Sequence, residues 1–322
     1  MKDYILKNWI PYKLDYQETN DILCQWLYLG ENRFTEPFFE ETTGLCRRLE
    51  INRNIQKSCT TFDGINDFSE NIPHLEPTAF IFHISRCGST LLAQLLSLDE
   101  QNIVVSEAPI LDEIIRNVAY KSSLKTETEI NNAIKSCIKL LGKKRSGNEE
   151  NFFIKLDSWH IFYYQKLRQL YPNTPFIFSY RNPSEVIRSQ EKNSGMHASP
   201  GIIQIDLFGL DFTESLKLSK PEYISKVLES YFNEYLKIID SDKNCIFVNY
   251  NNGLLENLNQ IKEFLKLHFS EEFKEKITER SKFHSKMPNQ IFKEPAISTT
   301  IPEYQNTVKD LYEKLNGLVE KL

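Results

Sequence analysis

Five short apolar runs divide the middle of the chain and constrain its fold more than any other feature: Ala79–Ile84, Asn102–Val105, Phe152–Leu156, Phe176–Tyr180 and Cys245–Tyr250. Each is rich in Ile, Val and Phe, and none alternates cleanly between apolar and polar residues. That is the pattern of strands buried on both faces of a parallel sheet. Amphipathic helical patterns separate them. Ser89–Leu98 sets Leu91, Leu92, Leu95 and Leu96 on one face, and Thr128–Leu141 does the same with Ile130, Ile134, Cys137, Ile138 and Leu141. Pro183–Glu191 opens on a proline at a first-turn position, where the missing N–H costs nothing. The alternation predicts an α/β fold with three α/β/α layers. Its core is a doubly wound parallel sheet of about five strands, with ligands at the strands' carboxyl ends.

The flanks are less regular. Residues 1–75 mix aromatic and polar side chains (Trp9, Trp26, Tyr28, then Phe34 to Phe39), and a short helix is expected near Asp21–Leu29. Asn71–Pro77 carries two prolines and reads as a connector. Residues 1–75 are therefore read as an appended region and residues 76–322 as the main domain. At the other end, Thr307–Leu322 has the spacing of an amphipathic helix that packs onto the body.

Composition limits the function classes. With 40% hydrophobic and 26% charged residues the 322-residue chain is of ordinary globular type, large enough to fold without disulfides or structural metals. A net charge of −5 argues against nucleic acid or an anionic membrane as partner, so any anion site must be local. The six cysteines are scattered without a Cys-x-x-Cys pair or a Cys/His cluster, as expected of reduced thiols. The start of the chain has no sustained apolar run and no stretch of about 18 apolar residues occurs. A cytoplasmic location is expected.

The first strand runs straight into Ser85–Thr90 (Ser-Arg-Cys-Gly-Ser-Thr) and then a leucine-rich helix. A strand–loop–helix of this kind offers an anion unpaired backbone N–H groups, a helix N-terminus and hydroxyls at Ser89 and Thr90. Gly88 permits close backbone approach. On the nucleotide frame G-x-x-x-x-G-K-S/T, His83 replaces the first glycine, Gly88 matches the second, Ser89 replaces the lysine and Thr90 matches the hydroxyl residue. The lysine that reaches the β- and γ-phosphates is missing, and Arg86 is the loop's own cation. A donor with less charge than ATP and no bridging Mg²⁺ suits this loop better.

Arg86–Thr90 resembles the 5′-phosphosulfate loop of the PAPS-dependent sulfotransferases (PAPS is 3′-phosphoadenosine 5′-phosphosulfate), although Ser85 stands where that family often has proline. The resemblance implies a P-loop sulfotransferase-like fold, with Arg86, Cys87, Gly88, Ser89, Thr90 and Leu91 around the 5′ end of the nucleotide. A second motif strengthens it. Phe176–Tyr180 is followed by Arg181, and Ser189 lies eight residues further on in the next helix. In the family such an Arg and Ser hold the 3′-phosphate, for which a guanidinium fork is well suited. The alternative for Arg181 is a cap on the sheet, paired with a carboxylate such as Glu185. A third, weaker match is the basic stretch Arg280–Lys286, with Lys293 beyond it; Lys282, His284 and Lys286 correspond to a family loop that closes over the nucleotide. Lys143–Arg145 is also basic but sits in a polar loop and reads as surface.

Sulfuryl transfer needs a base at the acceptor and cations on the leaving oxygens. Glu107, after the second strand, matches a position where several branches of the family carry a catalytic Glu. Lys155 matches the Lys of the cytosolic branch's Lys-Thr-His strand end, and Asp157 stands where that branch has its His. Glu107 is ranked first as base, then Asp157, then a histidine (His83, His160 or His197), with Arg86 and Lys155 as charge-stabilising cations. The function expected is metal-independent, in-line sulfuryl transfer from PAPS to a hydroxyl or amine of a small-molecule, carbohydrate or peptide acceptor, leaving adenosine 3′,5′-bisphosphate. Met196–Gly201 and the aromatic N-terminal region are candidates for the acceptor pocket. A P-loop small-molecule kinase and an inactive nucleotide-binding module on the same fold are the alternatives.

Overall fold

The computed structural model describes residues 6–19, 21–54, 56–118, 125–283 and 302–321. Eight strands occur among them: β1 (Trp9–Tyr16), β2 (Ile22–Tyr28), β3 (Cys59–Thr61), β4 (Ala79–His83), β5 (Asn102–Ser106), β6 (Asn151–Lys155), β7 (Phe176–Tyr180) and β8 (Cys245–Asn249). The last five form one sheet in the order β5-β6-β4-β7-β8, and every neighbouring pair is parallel. The expected α/β class and the sheet of five parallel strands are what the chain adopts.

Each strand of this sheet divides its side chains between two apolar clusters, which is why the sequence lacks alternation. Phe80, Phe82, Phe152, Ile154, Phe176, Phe178 and Phe247 belong to one cluster with helix Lys220–Ser241 and helix Glu127–Leu141. Ala79, Ile81, Val104, Phe153, Ile177 and Val248 belong to the other, with helices Ser89–Ser97, Leu254–Leu265 and Glu271–Arg280. The aromatic side is interlocked by ring contacts such as Phe178 against Phe247 at 4.8 Å and Phe82 against Phe178 at 5.1 Å. The helix expected at the C-terminus spans Asn306–Val319, where Val308, Tyr312 and Leu315 are buried.

The N-terminal region departs from expectation. Ile22–Tyr28 is a strand, not the short helix expected at Asp21–Leu29. It pairs antiparallel with β1 from Ile22↔Tyr16 to Tyr28↔Trp9 and with β3 on its other edge. Aromatic and β-branched residues favour this pleated, half-buried surface, and a neighbouring strand decides what local periodicity leaves open. Pro11 is tolerated because β1 is an edge strand and its register shifts between Pro11 and Lys13. Ile10, Leu14, Ile22 and Trp26 share the apolar cluster of the large sheet's aromatic face.

Lys143 and Arg145 are likewise not surface residues. Lys143 is 3% exposed and donates to the carbonyls of Leu6 and Trp9. Arg145 donates to the carbonyls of Gly30 (2.6 Å) and Asn32 (2.8 Å). The basic loop thus ties the N-terminal region to the body through its backbone carbonyls. Burial, and then the charge of Arg145, push the Lys143 amine down to about 7.

Candidate functional site

All five strands of the parallel sheet deliver a residue at their carboxyl ends to one cavity of about 590 Å³: Ser85 after β4, Glu107 after β5, Asp157 after β6, Arg181 after β7 and Tyr250 after β8. The loop after β4 is held in an uncommon conformation, with Ser85 (φ 66°), Arg86 (φ 51°) and Gly88 (φ 78°) all left-handed. Such conformations cost roughly 1–3 kcal/mol each for a non-glycine residue and gather at functional sites. A Cβ on Gly88 would lie 2.3 Å from Cδ2 of Tyr250, so glycine is required both by φ and by the ring that covers the loop. Helix Ser89–Ser97 begins at once, and no side chain caps it. Ser89, Thr90 and Leu91 line the cavity at this helix start, where backbone donors and the helix dipole favour an anion.

Arg86 also lines the cavity, and its Nη2 donates to the carbonyl of Asn193. Cys87 does not line it. Its Sγ is 3.3 Å from the Ser179 carbonyl, and burial raises its thiol pKa, so it supports the loop from below.

Glu107 lines the cavity, and Lys155, which does not line it, forms an ion pair with Glu107 from behind. The Lys155 side chain is fully buried, while that of Glu107 remains 22% exposed. Glu107 has left-handed φ (52°), and its N–H donates to the Lys155 carbonyl at 2.7 Å, which ends β5 and swings the carboxylate toward the cavity. His83 supports the pair. The Ser85 N–H donates to His83 Nδ1 at 3.0 Å, leaving Nε2 as the N–H that faces the Leu156 carbonyl (2.9 Å) and Glu107 Oε1 (3.2 Å). Burial lowers the pKa of His83, and the charge of Lys155 lowers it further. Burial also pushes the Glu107 carboxyl up, but the Lys155 charge and the bonds from His83 and Lys155 outweigh it and hold Glu107 below the usual range.

Asp157 has the opposite environment. Burial, then the neighbouring charges of Glu107 and Asp112, raise its pKa well above the ordinary value. The two carboxyl groups are thus pushed apart, Glu107 toward the ionised form and Asp157 toward the neutral one. Asp112 is a hub: its Oδ1 accepts from Trp159 (2.6 Å) and Arg116 Nε (3.0 Å) and lies 3.0 Å from His160 Nε2, and its Oδ2 accepts from Arg116 Nη2 (2.5 Å). Among the described residues, Asp112, Asp157 and His160 form the one grouping with metal-ligand spacing. The Asp157 N–H donates to His160 Nδ1 at 3.3 Å, so His160 has both ring nitrogens engaged by the protein itself. His197 lines the cavity 3.0 Å from Gln190 Nε2, with burial bringing its pKa down to about 3.

Arg181 and Ser189 both line the cavity. Arg181 does pair with Glu185 (Nε to Oε2, 2.5 Å), and Nη1 donates to the Arg86 carbonyl at 3.4 Å, joining β7 to the loop after β4. Its guanidinium lies 4.5 Å from the centroid of Tyr250. Capping the sheet and facing the cavity are therefore combined in one side chain. Lys282 is exposed and is not among the residues lining the cavity. His284, Lys286 and Lys293 lie outside the described residues.

Phe38, from the aromatic N-terminal region expected at the acceptor pocket, lines the cavity, and so do residues the sequence reading did not single out for the site: Glu40, Asp112, Glu113, Arg116, Trp159 and Tyr250. Tyr250 was legible as the last residue of an apolar run. Asp112 and Arg116 stand four apart, a spacing that marks a helical ion pair. Phe38 and Glu40 reach the cavity only through the fold of the N-terminal region.

No family model matches the chain, and no curated protein matches it. Solved structures do. The named ones are sulfotransferases. The sulfotransferase domain of the curacin biosynthetic pathway is 14% identical, with 76% of this chain and 98% of that one covered at a TM-score of 0.48. Sulfotransferase STF9 from Mycobacterium avium is 12% identical, with 88% and 82% covered at a TM-score of 0.45. Mouse sulfotransferase SULT7A1, solved with PAP, is 14% identical, with 82% and 90% covered at a TM-score of 0.38. No helix among the described residues is long and apolar enough to cross a membrane.

Proposed function

We propose that the protein is a sulfotransferase that moves a sulfuryl group from PAPS to a hydroxyl or amine acceptor. One observation carries the reading. A single cavity joins an uncapped helix start behind a lysine-free loop, the Arg181/Ser189 pair and Glu107, whose carboxylate is paired with a buried lysine behind the cavity wall. The helix start and Arg86 suit a 5′-phosphosulfate, and Arg181 with Ser189 suits a second phosphate at the 3′ position.

Lys155 would turn its ammonium from Glu107 to the oxygen that leaves the sulfur, where negative charge develops. Glu107, released from that partner, becomes a stronger base and takes the acceptor's proton. Asp157, held neutral beside it, donates a hydrogen bond rather than adding a second negative charge. The transfer itself is in-line and needs no metal. A protein that binds only in its folded state to adenosine 3′,5′-bisphosphate must melt higher in its presence. A clear rise with the bisphosphate and none with ATP and Mg²⁺ is expected; the reverse pattern would point to the kinase alternative.

A further inference from the structure

Phe38 enters the cavity from outside the parallel-sheet body. It is the extended residue (φ −135°, ψ 150°) just before helix Phe39–Cys46, so its side chain diverges from the helix's buried face. Its neighbours fix its place. Phe39 is 2% exposed and stacks on Phe34 at 5.5 Å, and Arg33 donates to the carbonyls of Ser97 (3.1 Å) and Asp99 (2.6 Å) on the body. The Phe38 ring lines the cavity with its centroid 5.5 Å from Lys155 Nζ. A smaller cavity of about 180 Å³, lined in part by Tyr12 and Arg47 of the N-terminal region, shares Glu40, Pro109 and Glu113 with the main one. The N-terminal region therefore contributes Phe38 and Glu40 to the main cavity, and its first strand lines the smaller cavity beside it.

We propose that Phe38 is a positioning residue that limits the access of water to Glu107 beside Lys155 and forms the wall on which the acceptor lies. The acceptor it suits has a flat apolar face beside its hydroxyl or amine. This inference rests on the sulfotransferase reading. The side reaction it suppresses is transfer to water: a water oxygen forms the new S–O bond, and the bond from sulfur to the bridging oxygen breaks. The electron pair leaves with the bisphosphate, and the released protons pass to Glu107 and solvent. An apolar ring over the pair lowers the chance of a water standing in line, which is how a closed site prevents hydrolysis of a reactive donor.

The test is the release of sulfate and bisphosphate from PAPS by the full chain without any acceptor. Phe38→Ala should release both several-fold faster than the wild type, with bisphosphate affinity unchanged. Phe38→Leu, which keeps apolar bulk, should stay near the wild-type rate. If Phe38→Ala does not fold, Phe38→Val carries the test with Phe38→Leu as its reference, because the rate must rise once the side chain is too small to cover the pair. Equal rates across the series, or a change that only follows bisphosphate affinity, overturn the proposal. A wild type that does not bind the bisphosphate overturns the donor reading first, and the proposal with it.

Discussion

Lys155→Met removes the ammonium that, among the described residues, forms the ion pair with Glu107, and leaves His83 Nε2 at 3.2 Å from Oε1. Breaking a buried ion pair from one side typically costs about 3–5 kcal/mol. Glu107 keeps 22% exposure, so water offsets part of this and the lower end, about 3 kcal/mol, is expected. In urea that corresponds to a midpoint lower by roughly 1 M. The pH dependence gives the sign. In the wild type, Glu107 is held below its ordinary range, so the pair contributes stability above the unfolded pKa and loses it as pH falls through the folded one. In the variant, burial acts on Glu107 without the lysine and its folded pKa rises. The gap between the two proteins is therefore widest near neutral pH and narrows as pH falls. Glu107→Gln combined with Lys155→Met should recover much of the loss, a positive coupling readable from a double-mutant cycle. Urea unfolding at neutral and mildly acidic pH decides the matter. A single-variant cost below about 1 kcal/mol, the same at both pH values, would refute a buried, charge-compensated pair.

Other residues give independent checks. Gly88→Ala should lose about 1–3 kcal/mol of stability, because φ is +78° and the new Cβ meets the Tyr250 ring; an unchanged melting temperature would contradict the geometry. Lys143 is brought down to about 7 in the folded state, so above that pH the unfolded chain binds the extra proton and stability rises with pH. Relative to Lys143→Met, the wild type should gain on the order of 1 kcal/mol per pH unit between about pH 7 and 9, and parallel curves would count against a buried amine. Arg181→Ala should weaken adenosine 3′,5′-bisphosphate more than adenosine 5′-monophosphate, and calorimetry showing equal losses would remove Arg181 from the 3′ end. Glu107→Gln should reduce sulfuryl transfer far more than Asp157→Asn, since Asp157 is already held neutral; the opposite ranking would exchange their roles.

The parallel sheet was legible because strands buried on both faces leave unbroken runs such as Phe176–Tyr180, and few other arrangements bury such a run. Strand-end logic indicated only where a ligand would sit, at the carboxyl edge of the sheet; the choice of Glu107, Asp157 and Arg181 there came from the resemblance to the sulfotransferase motifs. Ile22–Tyr28 was misread because its strand character depends on pairing with Trp9–Tyr16, a tertiary choice that short-range periodicity does not encode. Lys143 and Arg145 were misread because charge predicts exposure only until buried carbonyls need donors. Phe38 was legible only as part of an aromatic region expected near the acceptor, not as an individual site residue. Its position over Lys155 is set by how helix Phe39–Cys46 is anchored, not by any motif around it.

A crystal structure with adenosine 3′,5′-bisphosphate tests the central claim most directly. The account predicts the 5′-phosphate at the Ser89–Leu91 helix start beside Arg86, and the 3′-phosphate within hydrogen-bonding distance of Arg181 and Ser189. A nucleotide bound elsewhere, or one whose 3′-phosphate points into solvent away from Arg181, would contradict it.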